Sequence, residues 1–305
     1  MVEVGSLART NLGTRSRPDH SALAGPRRPR HVSADDPRMD ADVHDQTKSD
    51  VTTATTGGGR APGEAPAPAR QPAEARARPP LQAILFDLDG TLVATKRLYL
   101  EAYRRALATH LGHVPTPEEV VALRPSSELR FLQAVVGPEL YDACLADFRR
   151  HYAELHETHF GGLYDGVEQM LAELRAAAIP IGIVTGKSRG SWDVTIANVE
   201  LGPFDVTVFD YDVARPKPDP EGLLLALERL QVPPARAAYV GDGTQDASAA
   251  AAAGLLPVAA LWPKKPEEIE TFTRHVLLHG AVLARTPADV VALVRDPSRR
   301  PAPGP

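Results

Sequence analysis

The sequence predicts an α/β fold, a parallel sheet with helices on both faces, carrying an all-helical segment inserted after the first strand. Short apolar runs recur at residues 84–86, 179–185, 204–210, 237–242 and 255–261, each of the kind that a parallel strand buried on both faces requires. Helical periodicity alternates with these runs, so successive strands are joined by crossovers and lie parallel. Between the first run and the second, residues 95–162 carry helical patterns only, which marks a small bundle set into the sheet domain.

The chain before the first strand is of another kind. No Phe, Tyr or Trp precedes Phe86, and Pro, Gly, Ala, Arg and Asp dominate. Such a stretch cannot bury enough apolar area to offset the entropy of ordering, so residues 1–79 are expected to be a disordered tail. Met39 offers an internal start. Arg27, Arg28 and Arg30 are not followed by an apolar segment, and Asp35, Asp36, Asp40 and Asp42 dilute their charge, so neither an export signal nor a basic binding arm is expected. The formal charge of −5 argues against a nucleic-acid partner, and no run is long enough to span a membrane. Cys144 is the single cysteine, which excludes an internal disulfide and fits a reducing, cytoplasmic setting.

From Thr95 the elements follow in order. Tyr99, Ala102, Tyr103, Ala106 and Leu107 form one apolar helix face, with Thr95 as N-cap. A second helix opens with Thr116, Pro117 and the capping-box acid Glu119, and stops at Pro125. Ser126 caps a third helix, and Pro138 starts a fourth. On that fourth helix Tyr141, Cys144, Leu145, Phe148, Tyr152 and Leu155 make an apolar stripe, so Cys144 is expected to be a packing residue. Val167, Met170, Leu171 and Leu174 share a helix face before the second strand, and a further helix covers 220–230. A short strand near 281–284 and a helix over 287–295 close the domain. The expected division is a tail (1–79), a core (80–94 and 163–296), an inserted helical cap (95–162) and a frayed end (297–305).

Ligands of open parallel sheets collect at the carboxyl ends of strands, and here those ends carry polar residues. Asp87 and Asp89 are two close carboxylates, a pair that attracts a hard divalent cation and can divide nucleophilic and acid/base roles. The plainer alternative is ordinary turn polarity. Thr185 and Gly186 offer a hydroxyl and a backbone N–H to a phosphate, although Thr185 serves equally well as a helix cap. Lys217 stands between Pro216 and Pro218, so its ammonium comes from a stiff loop. Asp242 and Asp246 read as metal ligands. Gly241, Gly243 and Gly254 form a loose dinucleotide fingerprint, but Asp246 stands where the third glycine belongs, and two carboxylates there would repel a pyrophosphate. Four carboxylates with Lys217 alone to offset them imply that a phosphate dianion enters only with a cation.

The pieces FDLDGT, VTGKS, RPKP and GDGTQD resemble, in order, the motifs of the haloacid dehalogenase-like hydrolases, over about residues 81–296. The stretch from Glu200 to Gly254 and the helical insert resemble the phosphoglycolate phosphatase-like branch. The resemblance implies a Rossmann-like core with a helical cap and a Mg²⁺-dependent phosphatase acting on a small phosphorylated metabolite. It further implies Asp87 as the nucleophile that becomes an aspartyl-phosphate, Asp89 as general acid/base, and Thr185, Gly186 and Lys217 on the phosphate. Mg²⁺ would be held by Asp87, the backbone carbonyl of Asp89, Asp242 and Asp246. Halide displacement is set aside because the dehalogenase branch lacks an acid at the position of Asp89. A phosphosugar mutase, a pyrophosphatase or nucleotidase, and a catalytically silent phosphate-binding protein are the alternatives. Arg124 and Arg130 in the cap are candidates for a substrate carboxylate, against the plainer reading as solvated helix arginines. His156 and His159 lack a third ligand and read as a polar helix face. Ala94 and Thr95 replace the Asp-Ser common among relatives, and the segment from Trp262 to Gly280 has no assigned role.

Overall fold

The computed structural model describes residues 80–123 and 127–299. The expected tail, the stop at Pro125, the cap at Ser126, the candidate Arg124 and the chain beyond residue 299 lie outside the described residues. The strands β1 (Ala83–Phe86), β2 (Ile181–Val184), β3 (Val206–Val208), β4 (Ala237–Gly241), β5 (Leu256–Ala260) and β6 (Val282–Ala284) form one sheet in the order β3-β2-β1-β4-β5-β6. Every pairing is parallel.

Helices α1 (Lys96–Leu111), α2 (Pro117–Ala122), α3 (Glu128–Val136) and α4 (Tyr141–His159) fall between β1 and β2, followed there by α5 (Val167–Ala176). The remaining helices are α6 (Arg189–Ile196), α7 (Glu221–Leu230), α8 (Thr244–Ala253), α9 (Pro266–Leu277) and α10 (Pro287–Arg295). Alternation along β1 sends Ile84 and Phe86 to a core shared with α5 and α10, and Ala83 and Leu85 to one shared with α7 and α8. Both faces are covered, which is why the strands read as unbroken apolar runs.

The helices α1 to α4 pack on one another around Leu98, Tyr103, Leu107, Leu132, Phe148 and Tyr152. The capping box of α2 is present: Glu119 N–H donates to Thr116 Oγ1 at 3.2 Å, and Thr116 N–H donates to the Glu119 carboxylate at 2.7 Å. Three local expectations shift. The cap of α3 is Ser127, whose Oγ accepts from Arg130 N–H, because the helix begins where Glu128 N–H bonds Gly186 O at 3.0 Å. The fourth helix begins at Tyr141 rather than Pro138. Thr95 precedes α1, yet its hydroxyl makes no cap bond and donates instead to Asp89 Oδ1 at 2.8 Å.

Cys144 is fully buried in the insert. Burial pushes its thiol up to about 11, with Asp147 adding to the effect, which disfavours the thiolate and suits a packing residue. His156 is also buried there, between Tyr152 and Phe160, and burial lowers its tendency to charge, with Lys187 adding to that. Pro297–Arg299, part of the end expected to fray, forms a 3₁₀ turn. Among the described residues no helix is long and apolar enough to cross a membrane.

Candidate active site

With β1 at the centre of the sheet, the chain runs outward from it in both directions, and the crevice at such a reversal is where open parallel sheets bind ligands. Asp87 directly follows β1, Thr185 follows β2 and Asp242 follows β4, while Lys217 comes from the loop after β3. These residues, with Asp89, Gly186 and Asp246, line one cleft of about 810 Å³ whose other walls come from α1, α2, the start of α3 and α9. A second concavity, about 510 Å³ beside Trp192, Ile196 and Phe204, is more open and holds none of these groups. Gly90 permits the tight approach of the β1 loop to Asp242: its φ is +82°, and a Cβ there would lie 2.7 Å from Asp242 Oδ1.

Lys217 Nζ donates to Asp87 Oδ1 at 3.0 Å and to Tyr239 Oη at 2.8 Å. Its peptide bond to Pro218 is cis. Burial works to strip the ammonium of its proton, but Asp246 and Asp87 outweigh burial and hold Lys217 well above its ordinary value. Burial likewise pushes Asp87 up to about 8, with Lys217 opposing and Asp246, Asp242 and Asp89 adding to the rise. Asp242 is raised by burial, against the pull of Lys264. Asp246 Oδ2 accepts from Gly243 N–H at 2.8 Å at the start of α8. Its other oxygen is buried and has no hydrogen-bond partner, although Lys217 Nζ lies 2.8 Å away at an ion-pair distance. Carboxylate oxygens of Asp87, Asp242 and Asp246 all fall within 4.8 Å of one another.

Thr185 does not cap α6; Ser188 does, with its Oγ accepting from Ser191 N–H. That leaves the Thr185 hydroxyl at the strand end, where it accepts from Lys187 N–H at 3.2 Å. Arg130 is not in the cleft wall. Its guanidinium bonds Asp210 at 3.3 Å and Val213 O at 2.8 Å, since a buried carboxylate beside β3 lies within its reach. These contacts tie α3 to the core.

Two lysines without a sequence-level role complete the picture. Lys187 Nζ pairs with Asp89 at 3.0 Å, and Lys264 Nζ pairs with Asp242 at 2.7 Å. Burial disfavours the Lys187 charge, but Asp89, Tyr152 and Glu128 outweigh it and raise its proton affinity. Three lysines therefore face the four carboxylates, leaving one formal negative charge where sequence reasoning expected three. Lys264 also explains part of the unassigned segment: it sits over the ring of Phe272 in α9 at 4.6 Å, and Trp262 Nε1 donates to Thr91 O at 2.9 Å. Lys187 lies within VTGKS, whereas the sequence signal for Lys264 is its place shortly after a strand end.

Residues 84–260, more than half of the chain, match the family model described as haloacid dehalogenase-like hydrolase. The chain is 34% identical over 194 residues to pyrophosphatase PpaX of Bacillus velezensis, covering 60% of this chain and 84% of that protein. It is 36% identical over 184 residues to a plasmid-borne phosphoglycolate phosphatase of Cupriavidus necator, covering 58% of this chain and 79% of that protein. A mutant of CbbY from Rhodobacter sphaeroides, solved with xylulose-(1,5)bisphosphate, superposes with a TM-score of 0.57 at 28% identity, covering 68% of this chain and 96% of that one.

Proposed function

The chain belongs to the haloacid dehalogenase-like hydrolases, and we propose that it is a Mg²⁺-dependent phosphatase acting on a small phosphorylated metabolite through an aspartyl-phosphate on Asp87. The observation that carries this reading is the convergence of Asp87, Asp242 and Asp246 in a cleft that also presents Lys217 and Thr185. An all-oxygen donor set suits Mg²⁺, and carboxylate oxygens of Asp87, Asp242 and Asp246 lying within 4.8 Å of one another support the fit. Asp87, Asp242, Asp246 and the backbone carbonyl of Asp89 would hold the ion. When bound, it supplies positive charge that offsets the phosphate dianion and favours the ionised form of Asp87.

The side chains then divide the work. A carboxylate oxygen of Asp87 bonds to phosphorus as the bond from phosphorus to the leaving oxygen breaks, and Lys217, Thr185 and Gly186 hold the phosphoryl oxygens. Asp89 gives a proton to the leaving oxygen. It then takes one from the water that hydrolyses the aspartyl-phosphate, as microscopic reversal of roles requires. Helices α1 to α4 serve as a cap that excludes bulk water.

Tyr99, Leu100, Tyr103, Val120 and Val121 wall the leaving-group side, which suits a compact organic phosphate. The phosphoglycolate phosphatase relative and the sugar bisphosphate bound to CbbY support that class. The second reading, pyrophosphate as substrate, is favoured by the PpaX similarity. Comparing kcat/KM for p-nitrophenyl phosphate, phosphoglycolate, sugar phosphates and pyrophosphate, with and without Mg²⁺, separates the two. Cation-dependent hydrolysis of at least one organic phosphate is expected. Hydrolysis that survives a chelator would contradict the mechanism, and a need for a bisphosphate activator would mark a mutase. Because Lys264 and the cation share Asp242, Lys264→Met is expected to bind Mg²⁺ on the order of tenfold more tightly by calorimetry.

A further inference from the structure

Lys187 has no exposed side-chain surface, and no step above uses it. Its ammonium lies 3.0 and 3.3 Å from the two oxygens of Asp89, 2.8 Å from Tyr99 Oη and 2.7 Å from Tyr152 Oη. The rings of both tyrosines flank it, with centroids at 4.5 and 4.6 Å. An ammonium has three donors, and one carboxylate with two phenols takes all of them. None is left for a phosphate. The charge is therefore directed at Asp89, unlike that of Lys217, which sits beside Asp87 and Asp246.

The partners of Lys187 come from both parts of the fold. Tyr99 belongs to α1 and Tyr152 to α4, and the Tyr152 hydroxyl also meets Thr195 Oγ1 of α6 at 2.9 Å. Glu128 of α3 braces the same loop: its N–H donates to Gly186 O, and its carboxylate accepts from Ser188 Oγ and, at 3.0 Å, from Tyr99 Oη. Three helices of the insert thus converge on the loop between β2 and α6.

We propose that Lys187 is the positioning residue for Asp89 and ties the orientation of that carboxylate to the seating of the helical insert on the core. Without it, Asp89 keeps the Thr95 hydroxyl at 2.8 Å and a long contact to Tyr99 Oη at 3.4 Å, which leave the carboxylate free to turn. The inference rests on the acid/base reading of Asp89. A misplaced acid penalises leaving groups that need a proton and spares those that depart as stable anions.

The test is kcat/KM at saturating Mg²⁺ for phenyl phosphate and p-nitrophenyl phosphate, because this ratio reports the steps up to phosphorylation of Asp87. Lys187→Met is expected to lose about tenfold more on phenyl phosphate than on p-nitrophenyl phosphate. Tyr152→Phe removes one hydroxyl outside the cleft wall and should show the same selectivity at smaller size; it decides the matter if Lys187→Met does not fold. Asp89→Asn is the reference. Should Asp89→Asn be selective while Lys187→Met and Tyr152→Phe lose equally on both substrates, or lose nothing, the proposal is overturned and the mechanism stands. An unselective Asp89→Asn overturns the acid/base reading, and this proposal with it.

Discussion

Asp87→Asn is expected to abolish turnover, with a loss on the order of 10⁴-fold or more, because no other described carboxylate takes its place at the end of the central strand. The amide is isosteric, so the β1 loop and the cleft persist. The same change should affect stability in the opposite sense. Asp87 in the metal-free fold is raised from 3.8 to about 8, chiefly by burial. Between those values the folded chain holds a proton there that the unfolded chain releases, so this group's stabilising contribution, full at low pH, is lost as pH rises through the folded value. Asparagine cannot ionise. In metal-free buffer the variant should therefore melt above the wild type near pH 9 and level with it near pH 4. A variant that melts below the wild type at high pH would show that pairing with Lys217, not burial, governs this site.

Lys217→Met should remove both activity and a large part of the stability. The ammonium pairs with two buried acids, Asp87 at 3.0 Å and Asp246 at 2.8 Å. Removing one partner of a buried ion pair costs about 3–5 kcal/mol, since the remaining charge is left uncompensated. Loss of a donor that stabilises developing charge costs about 10²–10³-fold in kcat. The stability deficit should shrink as pH falls through the raised value of Asp87, because protonation neutralises that carboxylate, and shrink again when Mg²⁺ is added. Urea unfolding at high and low pH measures it. A deficit of about 1 kcal/mol or less at high pH would mean that the pair is solvated in solution.

The strands, the helical insert and the residues at the strand ends were legible because each is written locally. Apolar runs buried on both faces announce the sheet, and acids standing where such runs stop announce the cleft. What escaped depends on partners distant in sequence. Lys187 lies inside VTGKS, the segment proposed above to hold phosphate, yet its meaning comes from Tyr99 and Tyr152, 88 and 35 positions away. Thr95 is a residue type favoured at helix caps, but its hydroxyl donates to the Asp89 carboxylate and makes no bond to the α1 backbone. Arg130 carries no local sign of its partner, yet it meets a protein carboxylate, Asp210. Lys264 follows β5 without any motif, and only the packing of its loop over Phe272 aims it at Asp242. In each case local chemistry named the functional group and tertiary contact chose its partner.

The central claim is that phosphorus passes through Asp87. Asp89→Asn isolates that event, since p-nitrophenolate leaves without a proton while hydrolysis of the aspartyl-phosphate lacks its base. Mixing this variant with p-nitrophenyl phosphate and Mg²⁺, quenching in acid and mapping the peptides by mass spectrometry should reveal one added phosphoryl group on Asp87 and none in the Asp87→Asn, Asp89→Asn double variant. Phosphoryl on another residue, or steady release of p-nitrophenol with Asp87 never modified, would contradict the account.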